Sequence, residues 1–157
     1  MEKIKTVETF SGFKIGNIHG IYGDGGARLG FTQMLNCLQG YAEYDGYIIE
    51  TEKHTYRVMI DNGQSCCEDW GYMSSDDNLE YFVGADLREV NLTDTALNKK
   101  KLEEEHEYGF DGGGIQFVDF VTDRGVLQLA VYNGHNGYYG HGIVVAKDND
   151  LLLNNVL

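Results

Sequence analysis

The stretch Ile115-Gln116-Phe117-Val118-Asp119-Phe120-Val121-Thr122-Asp123-Arg124-Gly125-Val126-Leu127-Gln128-Leu129-Ala130-Val131-Tyr132 reads as two strands around a tight turn. Residues 115–121 and 126–132 are rich in Val, Phe and Leu, side chains that fit a pleated, half-buried surface. Thr122-Asp123-Arg124-Gly125 supplies the turn chemistry, with Gly125 where a positive φ is needed. A hairpin marked this clearly sets the expectation of an antiparallel sheet.

The same signals recur on both sides of it. Residues 47–50 and 54–61 form a second hairpin around Thr51-Glu52-Lys53, with Tyr56, Val58 and Ile60 on alternate positions. Asp61-Asn62-Gly63 closes it as a turn. Residues 86–93 read as a further strand with imperfect alternation. Residues 138–147 read as the last strand, introduced by Asn133-Gly134 and Asn136-Gly137. Residues 10–22 are strand material interrupted by Gly12, Gly16 and Gly20. Residues 27–39 differ: Phe31, Leu35 and Leu38 recur at helical spacing, and Gly40 is a stop. The expected fold class is therefore α+β, a mostly antiparallel β-sheet with one main helix packed on it. One domain over residues 1–157 is expected at this length. The Lys/Glu run at 98–107 reads as a solvated face, and 151–157 is apolar enough to pack but too short to assign.

Composition narrows the partners. The chain has 25 acids against 12 bases, a formal charge of −13. Such a field repels nucleic acid and anionic membrane, which need Lys and Arg to displace counterions, and favours basic protein surfaces. Twenty-one glycines and no proline indicate many tight turns, while 11 Tyr and 7 Phe argue against disorder. The opening Met-Glu-Lys-Ile-Lys lacks an apolar signal region, and no apolar run approaches the roughly 18 residues of a membrane span. With three cysteines, an odd number, the expected setting is a reducing cytoplasm with free thiols.

Residues 65–84 concentrate the candidate chemistry: Cys66, Cys67, Trp70 and five acids, Glu68, Asp69, Asp76, Asp77 and Glu80. Adjacent cysteines on an extended segment point to opposite sides and share one ion poorly, and Cys37 offers no second pair. A small metal- or ligand-binding module using Cys66 or Cys67 with His135 or His141 is the alternative reading. Glu68 and Asp69 disfavour a thiolate, so a cysteine nucleophile is not expected. The segment 23–30 matches neither the dinucleotide nor the nucleoside-triphosphate glycine pattern. No pair of carboxylates stands out for acid–base work. Neither an enzyme nor a cofactor is expected. What remains is charge: from Val58 to Leu87 there are seven acids and no Lys or Arg. Clustered carboxylates steer and orient a basic partner, and Trp70, Tyr72, Tyr81 and Phe82 would serve either as its apolar anchors or as core.

Two signatures carry a family resemblance. One is Cys66-Cys67-Glu68 followed by Leu79-Glu80-Tyr81-Phe82-Val83-Gly84-Ala85-Asp86-Leu87. The other is Phe117-Val118-Asp119-Phe120-Val121-Thr122-Asp123-Arg124-Gly125, closing with Asn136-Gly137-Tyr138-Tyr139. Residues 46–147 resemble a family of small bacterial and phage domains of unknown function. The resemblance implies a phage or mobile-element setting and carries over no catalytic residue. In that setting a small acidic protein resembles anti-CRISPR inhibitors, some of which present carboxylates to a basic groove as a DNA mimic. The expected function is a non-enzymatic inhibitor that engages a basic surface, such as that of a CRISPR nuclease, through Glu68, Asp69, Asp76, Asp77 and Glu80.

Overall fold

The computed structural model describes residues 1–14, 43–64, 69–105, 114–134 and 140–157. They form strands β1 (Glu2–Lys14), β2 (Glu43–Thr51), β3 (Thr55–Asp61), β4 (Asp69–Ser74), β5 (Asp86–Thr93), β6 (Gly114–Thr122), β7 (Gly125–Gly134), β8 (Gly142–Lys147) and β9 (Asp150–Val156). All nine lie in one sheet of order β4-β7-β6-β5-β1-β2-β3-β8-β9, and each neighbouring pair is antiparallel.

The fold is β-rich, which corrects the α+β expectation. Helical structure among the described residues is a 3-10 turn at Leu79–Phe82 and one short helix, α1 (Lys99–Glu105). Neither is a main helix covering the sheet. The helix expected at 27–39 lies outside the described residues. No covering helix is needed for the principal core, because the sheet folds over and buries its own face. Leu87, Val118, Phe120, Leu127, Leu129 and Val131 on one half meet Val7, Tyr47, Ile49, Tyr56, Val58, Ile60, Ile143 and Val145 on the other. Aromatic edges cross between the halves: Tyr56 to Phe120 at 5.7 Å and Tyr47 to Tyr72 at 5.3 Å, both near perpendicular.

β1 joins the two halves. Its pairing with β5 is confined to Glu2↔Leu87 and Lys3↔Asp86, and then the strand runs along β2. Ile4 belongs to both halves: its N–H donates to Ala85 O, its carbonyl accepts from Gly84 N–H, and it stands in register with Thr51. A register shift between Ile4 and Thr6 lets both Ile4 and Val7 face the core, three positions apart. A strand with strict two-residue alternation would turn one of them outward. That is why residues 2–9 do not read as a strand in the sequence.

The outer faces are also covered. Tyr44, Met59, Val144 and Ala146 form a second cluster with Phe10, Phe13 and Leu151. Met73, Phe117 and Ala130 form a third, roofed by Ala96 and Leu102. Strands β7 and β8, each one in from an edge of the sheet, are thus buried on both sides and carry near-continuous apolar runs. Close packing is tightest at Gly46 in β2, where an added Cβ would lie 2.1 Å from the Val58 carbonyl oxygen and 2.8 Å from Met59 Cα. At the β8–β9 turn Asp148 adopts a φ of 52°. Its carboxylate accepts from Thr55 N–H at 2.8 Å and from His54 Nδ1 at 2.5 Å, and so ties the turn to β3.

Gly46→Ala should lower stability by about 2 kcal/mol or more, since the neighbour that must move is backbone; urea denaturation followed by tryptophan fluorescence measures it. A second expectation concerns pH. Burial opposes ionisation of Asp148, but the Thr55 N–H, His54 and the Lys147 charge outweigh it and hold the carboxyl below its usual range. A depressed folded value means the stabilisation is present above about pH 4 and lost as pH falls through the folded value. Asp148→Asn, which tolerates the turn conformation, should therefore be less stable than wild type at about pH 6, with the gap closing towards about pH 3. Paired denaturation curves at the two pH values would refute this if the gap stayed constant.

Candidate functional site: an acidic groove beside the first strand

The segment that links β4 to β5 is fixed by polar contacts to its surroundings. Ser75 N–H donates to Gln128 O at 2.8 Å, and Gln128 N–H donates back to Ser75 Oγ at 3.1 Å. The Gln128 side chain, only 4% exposed, accepts from Leu97 N–H and donates to Thr95 O and Asp119 Oδ1. The buried amide thus holds the loop after β5 to β6, with all its partners within 3 Å, while the Gln128 main chain holds the loop after β4. Beyond Ser75 the chain makes an Asx turn, with Asp76 Oδ1 accepting from Asn78 N–H. The 3-10 turn follows. Arg124, from the β6–β7 turn, grips its end by donating to Tyr81 O and Val83 O at 2.9 Å each.

This arrangement sets Asp77, Asn78, Leu79 and Glu80 against Val7, Glu8 and Thr9 of β1, around a shallow open groove of about 500 Å³. Glu8, Asp77 and Glu80 are exposed. Beside the groove Tyr81 is 51% exposed and packs edge-on against Phe82 at 5.2 Å. The groove therefore combines three carboxylates with a small apolar element.

The five acids singled out in the sequence do not converge. Asp77 and Glu80 line the groove together. Asp76 is half-buried and spends an oxygen on its own turn. Asp69 is exposed at the start of β4, while Asp77 follows the end of that strand. Six residues of strand separate those ends by roughly 17 Å. Glu68 lies outside the described residues. Glu8, absent from the sequence reading because β1 was not legible there, completes the groove.

The acidic block is also partly compensated by the segment read as a solvated charge run. Lys101 in α1, with 19% of its side chain exposed, donates to Asp77 Oδ1 and Ser74 O at 2.7 Å each. Leu102 beside it packs on the outer cluster. Asp77 is 93% exposed on its other sides, so water screens this pair strongly. Glu8 and Glu80 make no ion pair among the described residues.

The aromatic residues divide between core and surface. Phe82 is buried, and Trp70 and Tyr72 pack on the principal core, leaving Tyr81 as the exposed one. Trp70 stacks on His141 at 5.4 Å and donates to Gln64 Oε1 at 2.6 Å. His141 is buried, and its Nδ1 donates to the Asp61 carbonyl at 2.6 Å, which gives it a structural part in the core. Cys37, Cys66, Cys67 and His135 lie outside the described residues. Among the described residues no group of three or more His, Cys, Asp or Glu side chains is placed to hold a metal ion.

The fold and the groove define a β-rich domain that buries its core within one folded antiparallel sheet and presents carboxylates on a polypeptide ledge. The chain belongs to the family described as a domain of unknown function, DUF7448, whose model matches residues 4–145. The match begins at Ile4, in β1, well before residue 46 where the sequence resemblance started. No curated protein and no solved structure matches the chain.

Gln128→Ala removes the amide that satisfies Leu97 N–H and the donor to Thr95 O and Asp119. It should cost about 2 kcal/mol or more and speed amide hydrogen exchange at 95–98, while Ser75, held by the Gln128 main chain, keeps its protection. Unchanged exchange at 95–98 would contradict anchoring by the side-chain amide.

Proposed function

We propose that this protein is a non-enzymatic acidic binding protein that docks on a basic protein surface through the groove between β1 and the 3-10 turn. The observation that carries the reading is the convergence of Glu8, Asp77 and Glu80 from separate parts of the chain on one open groove. The formal charge of −13 adds long-range attraction to a basic partner. Tyr81 supplies an amphipathic anchor of the kind enriched at binding hot spots. Glu80 and Glu8, free of ion pairs among the described residues, would meet the partner's Lys and Arg directly, and Asp77 would share its charge with Lys101.

In its more specific form the proposal is an anti-CRISPR-type inhibitor acting in a bacterial host, with carboxylates occupying part of the basic channel in which an effector nuclease holds nucleic acid. Family membership is compatible with that setting and names no partner. Contacts of this type contribute chiefly to association rate and specificity and weaken as salt rises.

The test is binding of the purified protein to a panel of guide-loaded CRISPR effectors, measured by surface plasmon resonance across a salt series. Glu8→Lys/Asp77→Lys/Glu80→Lys should weaken binding by roughly tenfold to a thousandfold, mostly in the association rate, while Asp69→Lys leaves it nearly unchanged. Binding to a member of the panel that ignores the triple substitution would sink the groove. Absence of binding across the panel would sink the anti-CRISPR form.

A further inference from the structure

A second cleft, of about 420 Å³, opens where β1 leaves β5 and the two halves of the sheet part. Its volume lies within the range of small-molecule sites. Tyr56 and Leu87 are buried at its base, and Val90 and Leu152 add apolar wall. Lys53, Arg88 and Lys147 line it with His54. The chain holds only 12 bases against 25 acids, so three bases in one cleft beside two lining carboxylates, Glu2 and Glu89, are a local departure from the balance of the chain.

Those cations are not consumed by carboxylates. Neither Lys53 nor Arg88 makes an ion pair among the described residues, and Lys147 lies over the Tyr56 ring at 6.0 Å. The acids at the cleft are mostly occupied. Glu2, buried at the base, accepts from the Tyr56 hydroxyl at 3.0 Å through one oxygen and from the Thr51 hydroxyl through the other. Asp148 is held by Thr55 N–H and His54. Glu89 is the remaining carboxylate of the lining. Burial, then the Glu2 hydrogen bond and charge, push the Tyr56 hydroxyl well above its ordinary range, so it stays a donor to Glu2.

We infer that this cleft is a binding site for a small organic molecule bearing an oxyanion, a carboxylate or a phosphate, with Arg88, Lys53 and Lys147 as the anion's contacts and Tyr56, Leu87, Val90 and Leu152 against its apolar body. The guanidinium of Arg88 offers a planar fork that matches either oxyanion, and the lysines add point charges. The site is separate from the acidic groove. Glu2 and Glu8 stand six residues apart on β1, about 20 Å along the strand. Loss of the partner-docking reading would leave this site untouched.

The experiment is a titration of the 15N-labelled full chain with inorganic phosphate and, separately, citrate, followed through backbone amide shifts. Saturable shifts confined to residues 53–56, 87–90 and 147–152 are expected, and the arm that saturates at lower concentration identifies the preferred oxyanion. Arg88→Ala and Lys53→Ala are both exposed substitutions that leave the rest of the spectrum in place. Combined, they should weaken the saturating anion by at least about tenfold, whereas Lys100→Ala on α1 should not. Shifts that never saturate, that spread evenly over all basic residues, or that survive unchanged in the double variant would overturn the proposal.

Discussion

The structure depends on how β1 is shared. Two pairs, Glu2↔Leu87 and Lys3↔Asp86, together with the Ile4 hydrogen bonds to Gly84 and Ala85, hold the halves of the sheet in one ladder. The irregularity after Ile4 then rotates the strand so that Ile4 and Val7 both enter the core. Burying an isoleucine contributes about 1.5–3 kcal/mol, and here that burial is coupled to the backbone bonds that join the halves. A short join followed by a bend is what allows a single sheet to cover its own apolar face, as local irregularities do in strongly coiled sheets.

Both candidate sites follow from this constraint. At one end of β1 the halves part and leave the cleft around Glu2. Further along, Glu8 faces the 3-10 turn, whose end Arg124 anchors, while the Gln128 main chain holds the loop leading into it. Charge is therefore sorted by position on the fold. Lys53, Arg88 and Lys147 meet where the strands diverge, beside carboxylates that are mostly hydrogen-bonded, whereas the exposed acids Asp77 and Glu80 sit on the loop that crosses the strand. Asp86 and Asp123 add to the same framework: each backbone N–H donates to the other residue, so the β6–β7 turn is tied to the start of β5.

The legible parts of the fold were those governed by local rules. The 115–132 hairpin appears as read, with Gly125 at a φ of 113° where β7 begins. Residues 86–93 form β5 with the same bounds, and β3 differs from its reading by one residue. Three strands were not legible, each for a different reason. The first part of β1, residues 2–9, breaks its own alternation at a bulge, although residues 10–14 fall within the stretch read as strand. β4 is Asp-Trp-Gly-Tyr-Met-Ser, whose acid and glycine look like loop. β9 is an edge strand with a largely exposed face and little apolar signal beyond its leucines. The site fared similarly. Asp77 and Glu80 stood out as clustered acids, but Glu8 and Lys101 are distant in sequence and no local pattern could have joined them.

The antiparallel character, several turn positions, the acidic charge and the family membership can be read from the chain alone, because these rest on neighbouring residues and on composition. Tertiary structure alone decided that the sheet would be its own cover, that Lys101 would compensate Asp77, that His141 would be buried under Trp70, and that Lys53, Arg88 and Lys147 would share a cleft. Each of those outcomes depends on which strands pair at long range. Pairing is selected by the total burial and hydrogen bonding of the closed sheet, a quantity that no single stretch of sequence contains.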